Sequence, residues 1–110
     1  MTDKIVVMVT CGSAREAKKV ARAVVEAQLA ACANIVTNPV KSIYRWKGKL
    51  ETASEVLVVI KSTRKRFSAL EREIRRVHSY EVPEIIALPV IAGLAPYQRW
   101  IEDSVEDAKR

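Results

Sequence analysis

The chain is short of the residue types from which most catalytic and metal centres are built. It has one histidine, His78, two cysteines and three glycines among 110 residues. A single imidazole excludes a zinc site with two histidine ligands and any proton relay between two imidazoles of one chain. Three glycines are too few for glycine-rich phosphate-binding loops, and no Gly-x-Ser-x-Gly, Walker or GxGxxG pattern occurs. The sequence gives no sign of catalysis, and we expect a protein that is not an enzyme.

Long apolar runs and a disulfide framework are also missing. The first apolar run, Ile5 to Val9, has five residues, whereas a membrane span needs about 20. It is also too short for a signal-peptide core, and two cysteines without a signal peptide do not build a disulfide scaffold. Hydrophobic residues at 49% and charged residues at 29% describe a globular protein. We therefore expect one domain over residues 1–110, in the cytoplasm.

Basic residues outnumber acidic residues by 19 to 13, which gives a formal net charge of +6. Such an excess permits nucleic acid, anionic metabolites or a membrane surface as partners without selecting among them. Many of the cations lie on the polar faces of two predicted helices. Proteins that bind single strands interleave aromatic residues with such charge, and the second helix face has none. A solvated face is the preferred interpretation, and nucleic acid is the least favoured partner.

Hydrophobic periodicity predicts four strands and three helices. The predicted strands are Ile5–Val9, Ala33–Thr37 continuing from Val40, Leu50–Ile60 and Glu84–Val90. The β-branched runs of the first and third are typical of strands buried on both faces. Apolar residues at helical spacing follow Ser13 and Glu16, a capping-box pattern, and recur after Thr63 and after Pro96. The order β-α-β-β-α-β with a short closing helix predicts an α+β fold of the ferredoxin-like type.

The second and third strands are predicted to form a hairpin that is long for a domain of this size. Asn38-Pro39 interrupts the second strand, and Gly48 marks the reversal of the chain. The tip of the hairpin, which carries Trp46, is expected to extend beyond the body of one subunit. In a ferredoxin-like fold the helices cover one face of the sheet, so the other face needs a partner surface and favours self-association.

Two residues are candidates for metal ligation. Cys11 follows the first strand, where a helix N-terminus lowers the pKa of a thiol. It is either a small packing residue or a soft ligand for copper or another thiophilic metal. His78, near the end of a helix, is either a structural residue or a ligand. Cys32 lies among small apolar residues, and we interpret it as a packing residue.

The aromatic residues lie at the hairpin tip, after the second helix and near the C-terminus, where a neighbouring chain would meet them. We interpret them as interface residues rather than core. Those assigned to a subunit interface are Tyr44, Trp46, Tyr97 and Trp100.

Five segments in order resemble the divalent-cation tolerance proteins, the CutA family, from end to end. The segments are 29–35 (LAACANI), 44–51 (YRWKGKLE), 60–62 (IKS) preceded by Glu55, 78–85 (HSYEVPEI), and Tyr97 with Trp100. The resemblance implies a homotrimer of ferredoxin-like subunits whose hairpins wrap onto adjacent subunits. It also implies an architecture like that of the PII signalling proteins, with small effectors bound between subunits. Family members are linked to copper tolerance, and no enzymatic activity is established for them.

The resemblance also places the family's copper ligands on this sequence. The thiol falls on Cys11 and the imidazole falls on His78. Ser79 stands where a proline is usual, which is expected to loosen the turn, and Val77 stands where some relatives have a second histidine. One thiolate and one imidazole form an incomplete site, which would need a carboxylate such as Glu51 or Glu84, water or another subunit.

The leading hypothesis is a non-enzymatic homotrimer, linked to divalent-cation tolerance, that binds copper, another divalent cation or a small ligand in clefts between subunits. The candidate cleft residues are Tyr44, Lys61, Tyr80 and Glu84. The alternatives are a trimeric scaffold or PII-like signalling module with no metal site of its own, and weak binding of nucleic acid by the basic helices. A further protein or a small-molecule effector would be the partner of such a trimer.

Overall fold

The computed structural model describes residues 3–106, and its element order confirms the predicted one. The elements are strand β1 (Lys4–Cys11), helix α1 (Ala14–Glu26), strand β2 (Cys32–Trp46), strand β3 (Lys49–Thr63), a 3-10 turn (Arg64–Arg66), helix α2 (Phe67–Val77), strand β4 (Ile85–Pro89) and helix α3 (Ala95–Val105). No helix within residues 3–106 has the length and apolar character needed to cross a membrane.

The four strands form one antiparallel sheet in the order β2-β3-β1-β4. β1 lies in the middle of this sheet and pairs with both β3 and β4, so that Val7 faces Ile60 on one side and Ala87 on the other. This order, with one helix connecting β1 to β2 and another connecting β3 to β4, is the split βαβ topology. The prediction of an α+β, ferredoxin-like fold is confirmed.

One face of the sheet is covered by α1 and α2, and the hydrophobic core lies between them. Side chains at alternate positions of β1 and β3 point to this face, as the two-residue period of a strand requires. The core side chains with no solvent exposure include Val7, Val9, Val20, Val24, Val58, Ile60, Leu70 and Ile74. Helix α1 approaches the sheet closely because Ala17 and Ala21 lie on its buried side.

On the opposite face of the sheet, α3 covers only the end near Lys4 and Cys32, and no other element of residues 3–106 covers the rest. Its apolar side chains, here called the open face, are Val6, Met8, Val36, Leu57, Val59, Ile86 and Leu88. Burial of β1 and β3 on both faces, as their β-branched runs predict, is therefore wrong for one isolated chain. Val6, Met8, Leu57 and Val59 are only partly buried. The prediction that the two connecting helices, α1 and α2, cover the same face of the sheet is confirmed.

The hairpin of β2 and β3 extends beyond the rest of the sheet. Each of its strands has 15 residues, whereas β1 has eight and pairs only with residues 56–63 of β3. At the tip, Lys47 and Gly48 both have positive φ, 50° and 80°, as a type I′ turn requires. Asn38-Pro39 shifts the register between Val36 and Val40 without ending the strand. The outer half of the hairpin is thus a two-stranded ribbon without a core of its own.

Helix α3 closes the end of the fold, as predicted. Ile101 and Val105 are buried on its inner side, while Tyr97 and Trp100 remain exposed. The Nζ of Lys4 contacts the carboxylate of Glu102 at 2.9 Å. The Nε of Arg66 donates to the Val105 carbonyl at 2.7 Å, which satisfies a carbonyl at the end of the helix.

The position of Ile74 in the core gives a first prediction. Ile74→Ala removes a fully buried side chain, so we expect the free energy of unfolding in urea to fall by about 2–5 kcal/mol. Val25→Ala, at a site 38% exposed on the other helix, is the control and should cost much less. An Ile74→Ala protein as stable as the control would contradict the assignment of the core.

Candidate functional site

The end of β1, the first turn of α1 and the residue after α2 meet in one place. They bring together Cys11, Glu16 and His78, whose thiol, carboxylate and imidazole donor atoms all lie within 4.8 Å of one another. The structure therefore brings the two predicted metal candidates together. The third donor is Glu16, for which the sequence predicted only a capping role, whereas neither Glu51 nor Glu84 belongs to this group.

His78 is held by hydrogen bonds at both ring nitrogens. Its Nε2 lies 2.8 Å from the Thr10 carbonyl, and its Nδ1 lies 3.1 Å from the backbone nitrogen of Tyr80. Since a carbonyl only accepts and a backbone N–H only donates, the ring carries its hydrogen on Nε2. A metal would have to replace one of these two bonds. His78 is also the C-cap of α2: its backbone N–H donates to the Ile74 carbonyl at 2.9 Å, and its extended conformation, with ψ of 140°, ends the helix.

Cys11 is fully buried, with its side chain on the helix-covered side of the sheet. Burial, with smaller contributions from the charges of Glu16 and Glu55, raises the pKa of this thiol to about 12. The lowering expected from the N-terminus of α1 is therefore wrong, since desolvation and the nearby carboxylates outweigh the helix. The thiol is protonated at neutral pH, so a metal ion would have to displace its proton.

Glu16 is attached to the segment that follows α2. Its carboxylate accepts from the backbone N–H of Ser79 at 2.6 Å and from the Ser79 hydroxyl at 3.1 Å. Burial raises the pKa of Glu16, but the Ser79 hydrogen bonds outweigh burial and hold it below its ordinary value. The Ser13 hydroxyl accepts from the Glu16 N–H, which confirms half of the predicted capping box.

Ser79 therefore ties the turn after α2 to the first turn of α1. A proline at this position would lack the N–H that Glu16 accepts, and a serine supplies both that N–H and a hydroxyl. We expected Ser79 to loosen the turn, but its two hydrogen bonds to Glu16 hold the turn in place instead. The same bonds hold the Glu16 carboxylate beside Cys11 and His78.

An open cleft of about 690 Å³ lies beside this cluster, between the hairpin and the segment after His78. Its lining residues are Thr10, Lys41, Ser42, Ile43, Tyr44, Trp46, Glu55, Tyr80, Glu81, Val82 and Glu84. Three of the four predicted cleft residues, Tyr44, Tyr80 and Glu84, are among them. Lys61 is not, because it lies farther along β3, where its Nζ donates to the side-chain oxygen of Asn34.

Tyr80 and Glu55 form the base of the cleft. The Tyr80 hydroxyl donates to a Glu55 carboxylate oxygen at 2.8 Å, and the Glu55 residue is 8% exposed. Burial raises the pKa of Tyr80, and the bond to Glu55 raises it further. The tyrosine ring also lies 4.7 Å from the ring of His78, centroid to centroid. Tyr80 therefore lies between the cleft and the cluster of Cys11, Glu16 and His78, here called the Cys11 cluster.

The four predicted interface aromatics are all partly exposed in the isolated chain. Tyr44, Trp46, Tyr97 and Trp100 have between 39% and 44% of their surface accessible. Tyr97 and Trp100 contact each other at 5.4 Å between ring centroids, and the Lys47 ammonium lies 5.7 Å from the Trp46 ring. The Cys32 thiol lies 3.8 Å from the Tyr97 hydroxyl, so Cys32 is near this group rather than in the main core.

These features define a small ferredoxin-like α+β protein with an uncovered sheet face, a long hairpin and a cleft beside a Cys-Glu-His cluster. The family model of the CutA1 divalent ion tolerance protein matches residues 5–104. Protein CutA of Mus musculus is 50% identical over 98 residues, which cover 89% of this chain and 55% of that protein. The chain belongs to the divalent-cation tolerance family. It spans about half the length of that mouse relative.

Solved structures of the family have the same fold. The divalent cation tolerance protein Cut A1 of Thermus thermophilus gives a TM-score of 0.89 at 40% identity, covering 92% of this chain and 97% of that one. The protein described as the periplasmic divalent cation tolerance protein CutA of Archaeoglobus fulgidus also gives 0.89, at 36% identity, covering 94% and 99%. The resemblance inferred from the five sequence segments is confirmed.

The burial of Cys11 gives a second prediction. In a Cys32→Ser protein, alkylation of Cys11 by iodoacetamide at pH 8 should be about 100-fold or more slower than after unfolding, because thiolate and access are both lacking. The thiol's contribution to stability is present below its unfolded pKa of about 8.5 and is lost as pH rises toward about 12. Equal alkylation rates before and after unfolding would contradict this environment.

Proposed function

We propose that this chain acts as a non-enzymatic homotrimer that binds a divalent cation or a small ligand in clefts between its subunits, and that this binding underlies its role in divalent-cation tolerance. The observation that carries the proposal is the open face. Seven apolar side chains from all four strands lie side by side there, and Ile86 and Leu88 are 50% and 47% exposed. A contiguous apolar surface of this kind is the usual mark of an interface.

The hairpin supports the same assembly. Its outer half has no partner in its own subunit beyond the two paired strands, and a two-stranded ribbon is marginally stable in water. Ile43 and Leu50 near the tip are 71% and 69% exposed. Packing this ribbon on a neighbouring subunit would bury these side chains together with the half-exposed Tyr44 and Trp46.

Assembly through the hairpin would also close the cleft, because Tyr44 and Trp46 line it. The groups that would face a ligand there include the carboxylates of Glu55 and Glu84 and the hydroxyl of Tyr80. Oxygen donors of this type suit a hard divalent cation or the polar groups of a small effector. Lys61 does not line this cleft in a single chain.

A softer cation such as copper would be held by the Cys11 cluster. A thiolate, an imidazole and a carboxylate are a donor set that suits copper or zinc. The thiol proton and the two hydrogen bonds of His78 oppose binding, so we expect such a site to bind copper with release of protons. Glu16 would be its third ligand, held in place by Ser79.

The alternative is a trimeric scaffold or PII-like module without a metal site of its own. It is favoured by the hydrogen bonds at both ring nitrogens of His78, which give this residue a complete structural role. The cytoplasmic location also stays a prediction, since the related Archaeoglobus fulgidus protein is described as periplasmic. In either version the further partner, a protein or a small-molecule effector, stays a prediction.

Assembly through the open face gives a third prediction. Light scattering should give a mass of about three times the 12.3 kDa of one chain, because three copies bury their open faces against one another. Leu88→Glu places a charge on the open face at a half-exposed site, and we expect it to reduce the mass to that of one chain while the fold remains.

The matched control is Val25→Glu, the same kind of change on the helix side, where the site is 38% exposed. It should leave the assembly intact. A wild-type protein with the mass of one chain, or a Leu88→Glu protein with the wild-type mass, would contradict assembly through the open face.

Copper binding is the fourth prediction. Calorimetric titration of copper into the reduced protein should show one site per subunit that disappears in Cys11→Ser/His78→Gln. Glu16→Gln should weaken it about tenfold, since one charged contact contributes roughly 1.5 kcal/mol. Cys32→Ser is the control and should bind as the wild type does. Undiminished binding by the double variant would exclude this cluster, and absence of a saturable site would favour the scaffold.

A further inference from the structure

The positive charge of this chain is concentrated in one layer. The helix layer, defined here as α1, the 3-10 turn and α2, contains ten lysine and arginine residues and four glutamates. Its excess of six equals the formal net charge of the whole chain, +6. The remaining residues therefore sum to no net charge. Because the helix layer covers the sheet on the side opposite the open face, assembly through that face would leave the charge pointing outward.

Several glutamates of the layer already have partners. Glu26 pairs with Arg22 at 3.1 Å, Glu73 pairs with Arg76 at 2.6 Å, and Glu16 binds Ser79. Seven of the ten cations are arginines, whose planar guanidinium group binds phosphate oxygens in pairs. The layer thus keeps a surplus of phosphate-binding donors.

Two shallow depressions collect these cations. One, of about 490 Å³ on α1, is lined by Arg15, Lys18, Lys19, Arg22 and Ala14, with no carboxylate among them. The other, of about 560 Å³ beside α2, is lined by Ser68, Glu71, Arg72, Arg75, Arg76, Tyr80, Glu81 and Pro83. The first depression has four cationic side chains, of which Arg22 is paired with Glu26. The second has three beside two carboxylates, and its Arg76 is paired with Glu73.

The composition of the layer limits the kind of polyanion it fits. Single-stranded nucleic acid is bound by stacking bases on aromatic side chains, and the one aromatic residue of the layer, Phe67, packs against the core. A helix that binds a bilayer inserts apolar side chains, and Val25 is the only large hydrophobic side chain exposed on the described helix layer. The helix layer can therefore bind a polyanion only through its phosphate groups.

We propose that the helix layer binds a linear inorganic polyphosphate chain. Such a chain consists of charged phosphate groups alone, with neither bases nor acyl chains, and so requires only the cations that the layer supplies. It is flexible and can follow the four cations of the α1 depression while avoiding Glu71 and Glu81 at the other one. A nucleic-acid duplex holds its phosphates at fixed spacings and cannot adapt them to these cations as a flexible chain can.

The test is calorimetric titration of the full chain with long-chain inorganic polyphosphate, with a chelator present so that no metal ion bridges the partners. Arg15→Gln/Lys18→Gln removes two cations from the α1 depression, and we expect the Kd to rise about tenfold. Lys49→Gln/Arg99→Gln is the matched control, because it removes one lysine and one arginine at exposed positions outside the helix layer. The control should change the Kd less than about twofold, and wild-type affinity should fall steeply with salt.

Equal weakening by the two double variants would show that net charge alone is responsible and would overturn the site. Absence of saturable binding at low salt would do the same. Duplex DNA and phosphatidylserine vesicles are titrated in parallel. Tighter binding of either one than of polyphosphate would overturn the choice of ligand. Because these readouts involve neither copper nor the mass of the assembly, failure here is distinguishable from failure of the proposed function.

Discussion

The rest of the structure depends on a sheet that is apolar on both faces, covered on one by α1 and α2 and on the other only at its end by α3. β1 and β3 are built from β-branched runs, and α1 and α2 bury every second side chain of those runs. The intervening side chains form the open face. The hydrophobic effect therefore stabilises the subunit on one side and leaves a driving force for association on the other. The long hairpin adds to this force, since its outer half also lacks a cover within the chain.

The second constraint is a hydrogen-bond network where three elements converge. Glu16 receives two bonds from Ser79, while His78 bonds to Thr10 and to the Tyr80 backbone. These bonds fix the donor atoms beside the buried thiol of Cys11. They also compete with a metal, because ligation costs an existing bond and a thiol proton. The network thus sets both the geometry of the candidate site and the resistance that a cation must overcome.

Much of the fold could be predicted from local patterns. The periodicity of the β-branched and helical segments gave the element order, and Gly48 marked the hairpin turn. Contacts between residues far apart in the sequence were not predictable in this way. Glu16 and Ser79 are 63 residues apart, and a capping pattern within one helix gives no sign of such a partner. Lys61, predicted to line a cleft between subunits, lies outside the cleft of a single chain, because alternation assigns a residue to a face of the sheet but not to a position along it. The role of Glu55 was missed likewise, although a carboxylate flanking a buried strand run was a usable signal.

The most direct test of the central claim, that the open face is buried by copies of this chain, is small-angle X-ray scattering of the wild-type protein in solution. One chain has a Cα radius of gyration of 14.5 Å and a mass of 12.3 kDa. Our account predicts a forward scattering that corresponds to three chains, with a radius of gyration clearly larger than that of one. A particle with the mass and radius of a single chain at micromolar concentration would contradict it.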